Sequence, residues 1–77
     1  MENIDTLNQI FQEELDDPKL RITHDLSRDD LMSWDSLAHV RIVASIEDRF
    51  GFQFTLEQIE ETSSVGELLD VIAAHQA

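Results

Sequence analysis

Trp34-Asp35-Ser36-Leu37 sets a serine hydroxyl where an irregular acidic stretch gives way to a segment of regular apolar spacing. A helix starting there would leave its first backbone N–H groups without intrahelical partners, at the positive end of its macrodipole. An anion carried on the Ser36 oxygen would be favoured electrostatically at such a point. The plain alternative is that Asp35 or Ser36 is simply an N-cap, since both residue types are favoured caps. His39 lies one turn further on and on the same side, so Ser36 and His39 could also be read as nucleophile and base. That chemistry needs a third, orienting group and an oxyanion site in a sheltered pocket. Nothing near His39 in sequence visibly orients it, and a packing histidine is the simpler reading.

The composition narrows the choice. Seventy-seven residues make one small domain, spanning 1–77. The hydrophobic fraction of 42% is enough for a compact fold. A core of this size supplies little net stability for deep clefts or buried catalytic networks, so an enzyme is not expected. Seventeen acids against five bases give a formal charge of −12. Such a chain repels nucleic acid and anionic membranes and draws basic partner surfaces. Like charge also disfavours self-association, so a monomer is expected. The absence of cysteine excludes disulfides, thiolate metal sites and a native thiol nucleophile. The carboxylate clusters Asp16-Asp17, Asp25, Asp29-Asp30 and Glu60-Glu61 lack the spacing of a calcium loop. No metal is expected. The start, Met1-Glu2-Asn3-Ile4-Asp5, is acidic and unlike a signal peptide, and no apolar run approaches membrane-spanning length. A cytoplasmic protein is expected.

Four elements should position Ser36. Ile4, Leu7, Ile10, Phe11 and Leu15 recur at helical spacing and predict a first helix over about Asn3 to Leu15, ended by Asp17-Pro18. The stretch from Asp16 to Trp34 has no sustained period. Leu20, Ile22, Leu26, Leu31 and Trp34 can pin it across a helical core, so an ordered connection with a short helical turn is expected. A second helix is predicted over Ser36 to Phe50, with Val40, Val43, Ile46 and Phe50 on its inner face and Gly51 as a left-handed cap. Phe52, Gln53 and Phe54 alternate, hinting at an extended connector with both rings inward. Thr55-Leu56-Glu57-Gln58 matches a capping box and opens a short third helix to about Glu61. Ser64-Val65-Gly66-Glu67 matches another, opening a last helix to about His75 that buries Val65, Leu68, Leu69 and Ile72. Gly66 weakens its first turn slightly. The fold class is all-α: a four-helix bundle of three main helices and one short one, with a long first connection.

These residues resemble the acyl carrier protein family, the phosphopantetheine-attachment domains. Asp35-Ser36-Leu37 is similar to the family's modification motif, and Trp34 before it is common among specialised carriers. Ile46-Glu47-Asp48-Arg49-Phe50-Gly51 resembles the end of the family's second helix, and Thr62-Ser63-Ser64-Val65-Gly66-Glu67-Leu68 the start of its last. The resemblance implies that a phosphopantetheinyl transferase, using coenzyme A and magnesium, attaches 4′-phosphopantetheine to Ser36. It implies further that acyl groups ride on that arm as thioesters between acyl-loading and acyl-processing enzymes. Asp35 matches the position that helps present the serine, and Leu37 an apolar contact for the same transferase. Their ordinary readings are a cap and helix-face packing. An unmodified acidic docking module remains the alternative function.

The chain departs from carriers of fatty-acid synthesis along the second helix. Ala38 and Arg41 stand where acids are common, Arg49 adds another positive charge, and Asp35, Glu47 and Asp48 are the acids that remain. Reversed charge suppresses mismatched partners as well as attracting new ones. Arg41, Glu47 and Asp48 are therefore expected to join Asp35 and Leu37 in partner recognition, in polyketide or other specialised metabolism or for a dedicated lipid. A solvated helix face of mixed charge is the competing reading. His39, Val40, Phe54, Ile59 and Leu68 are candidates to line an acyl cavity, with Phe52 and Ile72 parting beside them. Close-packed bundle cores have no intrinsic vacancy, so these residues read first as core. Self-repulsion at a charge of −12 should cost stability in dilute buffer. Added monovalent salt or magnesium is expected to raise the melting temperature by several degrees, measured by calorimetry. A flat or falling trend contradicts it.

Overall fold

Apolar residues three and four apart wind α1, Asn3–Glu14, whose Leu7, Ile10 and Phe11 are buried. The computed structural model describes residues 2–76, so Met1 and Ala77, the ends of the expected domain, lie outside the described residues. The remaining helices are α2 (Ser36–Phe50), α3 (Leu56–Glu61) and α4 (Val65–Ala74). A 3-10 turn, Arg28–Asp30, interrupts the long first connection. No strand occurs among the described residues beyond an isolated bridge between Ser27 and Ser64. The architecture is the expected four-helix bundle. Helix α1 packs on α2 and α4, and α3 packs on α2.

Helix ends are set by local chemistry. At the end of α1 the N–H of Asp16 bonds to the carbonyl of Glu13 and that of Asp17 to Gln12. This is a Schellman motif with Asp16 in the left-handed position, at φ 51°. Gly51 closes α2 in the same conformation at φ 76°, its N–H on the Glu47 carbonyl. The Thr55–Gln58 capping box forms as predicted. The second box is shifted by one residue. Ser64 Oγ accepts from the N–H of Glu67, but the Glu67 carboxylate reaches back to the N–H of Ser63.

The inner face of α2 differs from the expected one. Ala38, His39, Ile42, Val43 and Ile46 are buried, whereas Val40 is 54% exposed. At roughly 100° per residue, Val40 points well to one side of the stripe that runs from Ala38 through Ile42 to Ile46. Leu69 is only half-buried on α4. Phe54 turns inward as expected, but Phe52 stays half-buried at the edge. Its ring stacks between Phe54, 5.4 Å away, and His75, 4.1 Å away.

The first connection is ordered because other elements satisfy its backbone. Asn8 accepts from the N–H of Ile22, and Gln12 donates to the Leu20 carbonyl. Further along, Arg28 donates its N–H to Ser63, while Val65 and Gly66 donate theirs to Leu26 and His24. The His24 ring lies so close over Gly66 that a Cβ there would sit 2.6 Å from Cε1. An alanine there would require the His24 ring to shift. Ile22 and Trp34 are buried, and Leu20, Leu26 and Leu31 pack against the core from its rim.

Left-handed backbone separates two substitutions of opposite sign. Gly51→Ala meets no atom within 4 Å, so strain alone acts, and it should destabilise by about 1–2 kcal/mol. Asp16→Gly relieves the same strain and should stabilise by up to ~1 kcal/mol in urea denaturation. Equal signs for the two would contradict the conformational cause.

Candidate functional site

Ser36 is the first residue of α2 and is exposed. Asp35 precedes it as the N-cap, its Oδ1 accepting from the N–H of Ala38 at 2.8 Å. That bond fixes where the helix begins and leaves Ser36 on the first, open turn. Trp34, only 2% exposed, is driven into the core immediately before the cap. Its ring meets Phe11 edge-on at 4.8 Å. The buried indole and the capped helix together hold the Ser36 hydroxyl outward.

His39 lies beneath this junction. It is 2% exposed, and both ring nitrogens are committed. Trp34 Nε1–H donates to Nδ1 at 3.1 Å, and Nε2 lies 3.1 Å from both the Ile59 carbonyl and Thr62 Oγ1. Trp34 can only donate, so Nδ1 is the acceptor and Nε2 carries the proton. Burial first, then the nearby Arg28 charge, hold the imidazole below its ordinary 6.5, opposed in part by the Ile59 carbonyl. With both nitrogens so engaged, His39 serves neither as base for Ser36 nor as a ligand for a phosphate there. The sequence showed the histidine but not its orienting groups, two of which come from the far end of α3.

Arg28 is the residue the sequence reading missed. Its Nη2–H donates to Ser36 Oγ at 3.1 Å. The signal available was a single base within the acidic run from Asp25 to Asp35. Spacing gave no reason to place it beside the serine.

The other candidates scatter. Leu37 is 66% exposed beside Ser36. Asp48 is exposed near the far end of α2. Glu47 accepts from the N–H of Phe54 at 2.7 Å and so holds the connector to α3. Arg41 pairs with Glu14 at 3.7 Å and Arg49 with Glu13 at 3.1 Å, both across to α1. Of the proposed cavity lining, Phe54 and Leu68 are buried in the close-packed core and Ile59 is half-buried above it. Val40 faces solvent and lines no interior space, for the rotational reason given above. Two open clefts lie away from Ser36. One runs along α1 at Asn8, Gln12 and Ile22, and the other lies between the start of α1 and α4. Among the described residues no cluster is suited to a metal ion, and no helix is long and apolar enough to cross a membrane.

An exposed hydroxyl on an open helix turn, with a guanidinium beside it, fits a phosphate ester by reach and by charge. The comparisons agree. Residues 5–72 match the model of the phosphopantetheine attachment site. The chain is also similar to the solution structure of a holo acyl carrier protein from Geobacter metallireducens. That likeness has a TM-score of 0.86 at 31% identity, over 96% of this chain and 85% of the other.

Stability should follow His39 in a defined pH window. A folded-state value below 6.5 means the unfolded chain takes up the proton first. Its contribution is complete above about pH 6.5 and is lost as pH falls toward the lowered value. Glu67 is also lowered, chiefly by the Ser63 N–H, and its contribution fades only below its ordinary 4.5. His39→Phe should remove the upper window and cost about 1–3 kcal/mol by leaving the Trp34 N–H without an acceptor. Urea midpoints from pH 8 to 5, followed by Trp34 fluorescence, test this. Parallel curves for the two proteins would refute it.

By family match over nearly its whole length and by fold, the chain belongs to the phosphopantetheine-attachment family and is an acyl carrier protein, a carrier rather than an enzyme.

Proposed function

We propose that Ser36 is the attachment point for 4′-phosphopantetheine, and that the chain carries acyl intermediates between enzymes of a specialised pathway. The observation that carries the assignment is the Ser36 hydroxyl itself, exposed on the first turn of α2 and in contact with Arg28. In modification, Ser36 Oγ bonds to the pantetheine-side phosphorus of coenzyme A. The P–O bond to the adenosine bisphosphate half breaks, and the hydroxyl proton passes to the transferase or solvent. Once attached, the group supplies a thiol to a cysteine-free chain, and a tethered thioester raises the effective concentration of substrate at each partner.

The residues around Ser36 divide the remaining work. Asp35 starts the helix, and Trp34 and His39 hold that start against the core and α3. Leu37, with Val40 and Asp48, offers the exposed part of α2 to the transferase and the acyl-handling enzymes. Arg41 and Arg49 support a specialised pathway differently from the sequence expectation. Each is paired with an α1 carboxylate, and the exposed α2 surface next to Ser36 is apolar at Leu37 and Val40. Such a surface suits partners that read shape and apolar area over partners with strongly basic patches.

Incubation of the apo protein with coenzyme A, magnesium and a broad-specificity transferase, followed by intact mass, tests the assignment. One phosphopantetheine is expected on the wild type and none on Ser36→Ala. An unmodified wild type, under conditions that load a control carrier, would leave an unmodified docking module as the better reading.

A further inference from the structure

Arg28 is the one cation hydrogen-bonded to Ser36 among the described residues. In a protein with 17 acids it makes no ion pair among the described residues, nor do Lys19 and Arg21, whereas Arg41 and Arg49 each find a carboxylate. Two of the acids near it in sequence are otherwise engaged. Asp30 Oδ2 accepts from the N–H and the hydroxyl of Ser27, and Asp35 Oδ1 accepts from Ala38. The backbone of Arg28 is fixed as well, opening the 3-10 turn and bonded through its N–H to the Ser63 carbonyl at 2.9 Å. Arg28 as a residue is half-buried, and its guanidinium sits on Ser36 Oγ at 3.1 Å.

We infer that Arg28 is a positioning residue for the attached arm: its guanidinium binds the phosphodiester formed on Ser36 and fixes the root of the tether against the 3-10 turn. The inference rests on Ser36 being the attachment point. Esterification removes the hydroxyl proton and turns Oγ into a bridging oxygen, with one negative charge shared by the two non-bridging oxygens on the same phosphorus. The guanidinium presents several N–H donors in a planar fork suited to those oxygens. A charge held free of carboxylates before modification thereby gains its counter-ion afterwards. The ester would otherwise add negative charge to a chain already at −12.

The test is a thermal cycle on four proteins, apo and loaded forms of the wild type and of Arg28→Gln, with loading verified by mass. Loading should change the melting temperature more favourably in the wild type than in the variant, by roughly 2–6 °C. High salt should shrink that difference, and Arg28→Lys should recover part of it. The same shift on loading in both backgrounds overturns the inference. A wild type that takes no label strikes instead at the attachment site. If Arg28→Gln resists loading, the side-chain N–H resonances of the wild type decide. Loading should move that of Arg28 and leave those of Arg21, Arg41 and Arg49 in place, and an unmoved Arg28 signal overturns the inference.

Discussion

Trp34 donates a buried hydrogen bond to His39, and His39 passes its own N–H to Ile59 and Thr62. The first connection, α2 and the end of α3 therefore meet at one neutral imidazole. Each group in this chain satisfies another that would be costly to bury alone. Thr62 completes it by donating to the Gln58 carbonyl at 2.8 Å. Ser36 stands between the indole and the imidazole in sequence, so its place on the surface is inherited from this buried tie. The ring must be neutral to accept from the indole, and burial and the Arg28 charge both favour that state.

A second constraint comes from the backbone pairing between the first connection and the α3–α4 junction. Three bonds, from Arg28, Val65 and Gly66, tie residues 24–28 to residues 63–66. Without them a stretch this long would have unsatisfied amides and little reason to hold one path. With them, Arg28 is delivered beside a helix start eight residues later. The length of the connection allows the chain to reach the start of α4 before it returns to α2.

Most of the helices were legible because local chemistry decides them. The bounds of α2 and α3 follow from Asp35, Gly51 and Thr55, each of which acts on neighbours within a turn. The rotation of α2 was not legible in detail. Val40 and Ile42 are both β-branched and apolar, and only packing against α1 and α3 distinguishes the buried one from the exposed one. The role of Asp16 was hidden for a different reason: the left-handed position usually signals itself by glycine or asparagine. The site was half legible. Ser36 and Asp35 lie in one short motif, whereas Arg28, Ile59 and Thr62 reach it through tertiary contacts that leave no periodic trace.

The placement of charge also explains how so acidic a chain keeps a distinct surface at its site. On α1, Glu13 and Glu14 take up Arg49 and Arg41, and Glu14 also accepts from Ser45. These contacts are at the surface and add little stability individually. Their effect lies in where charge is left over. Acids without an ion pair among the described residues include Asp48 at the far end of α2 and Glu57, Glu60 and Glu61 on exposed α3. The Arg28 guanidinium, which has no ion pair among the described residues, falls at Ser36, near the exposed Leu37 and Val40 of α2. A partner approaching the carrier meets general negative charge at a distance and, at Ser36, an apolar spot with one guanidinium beside it. Long-range attraction and close-range fit are thus set by different residues, and changes in one leave the other intact.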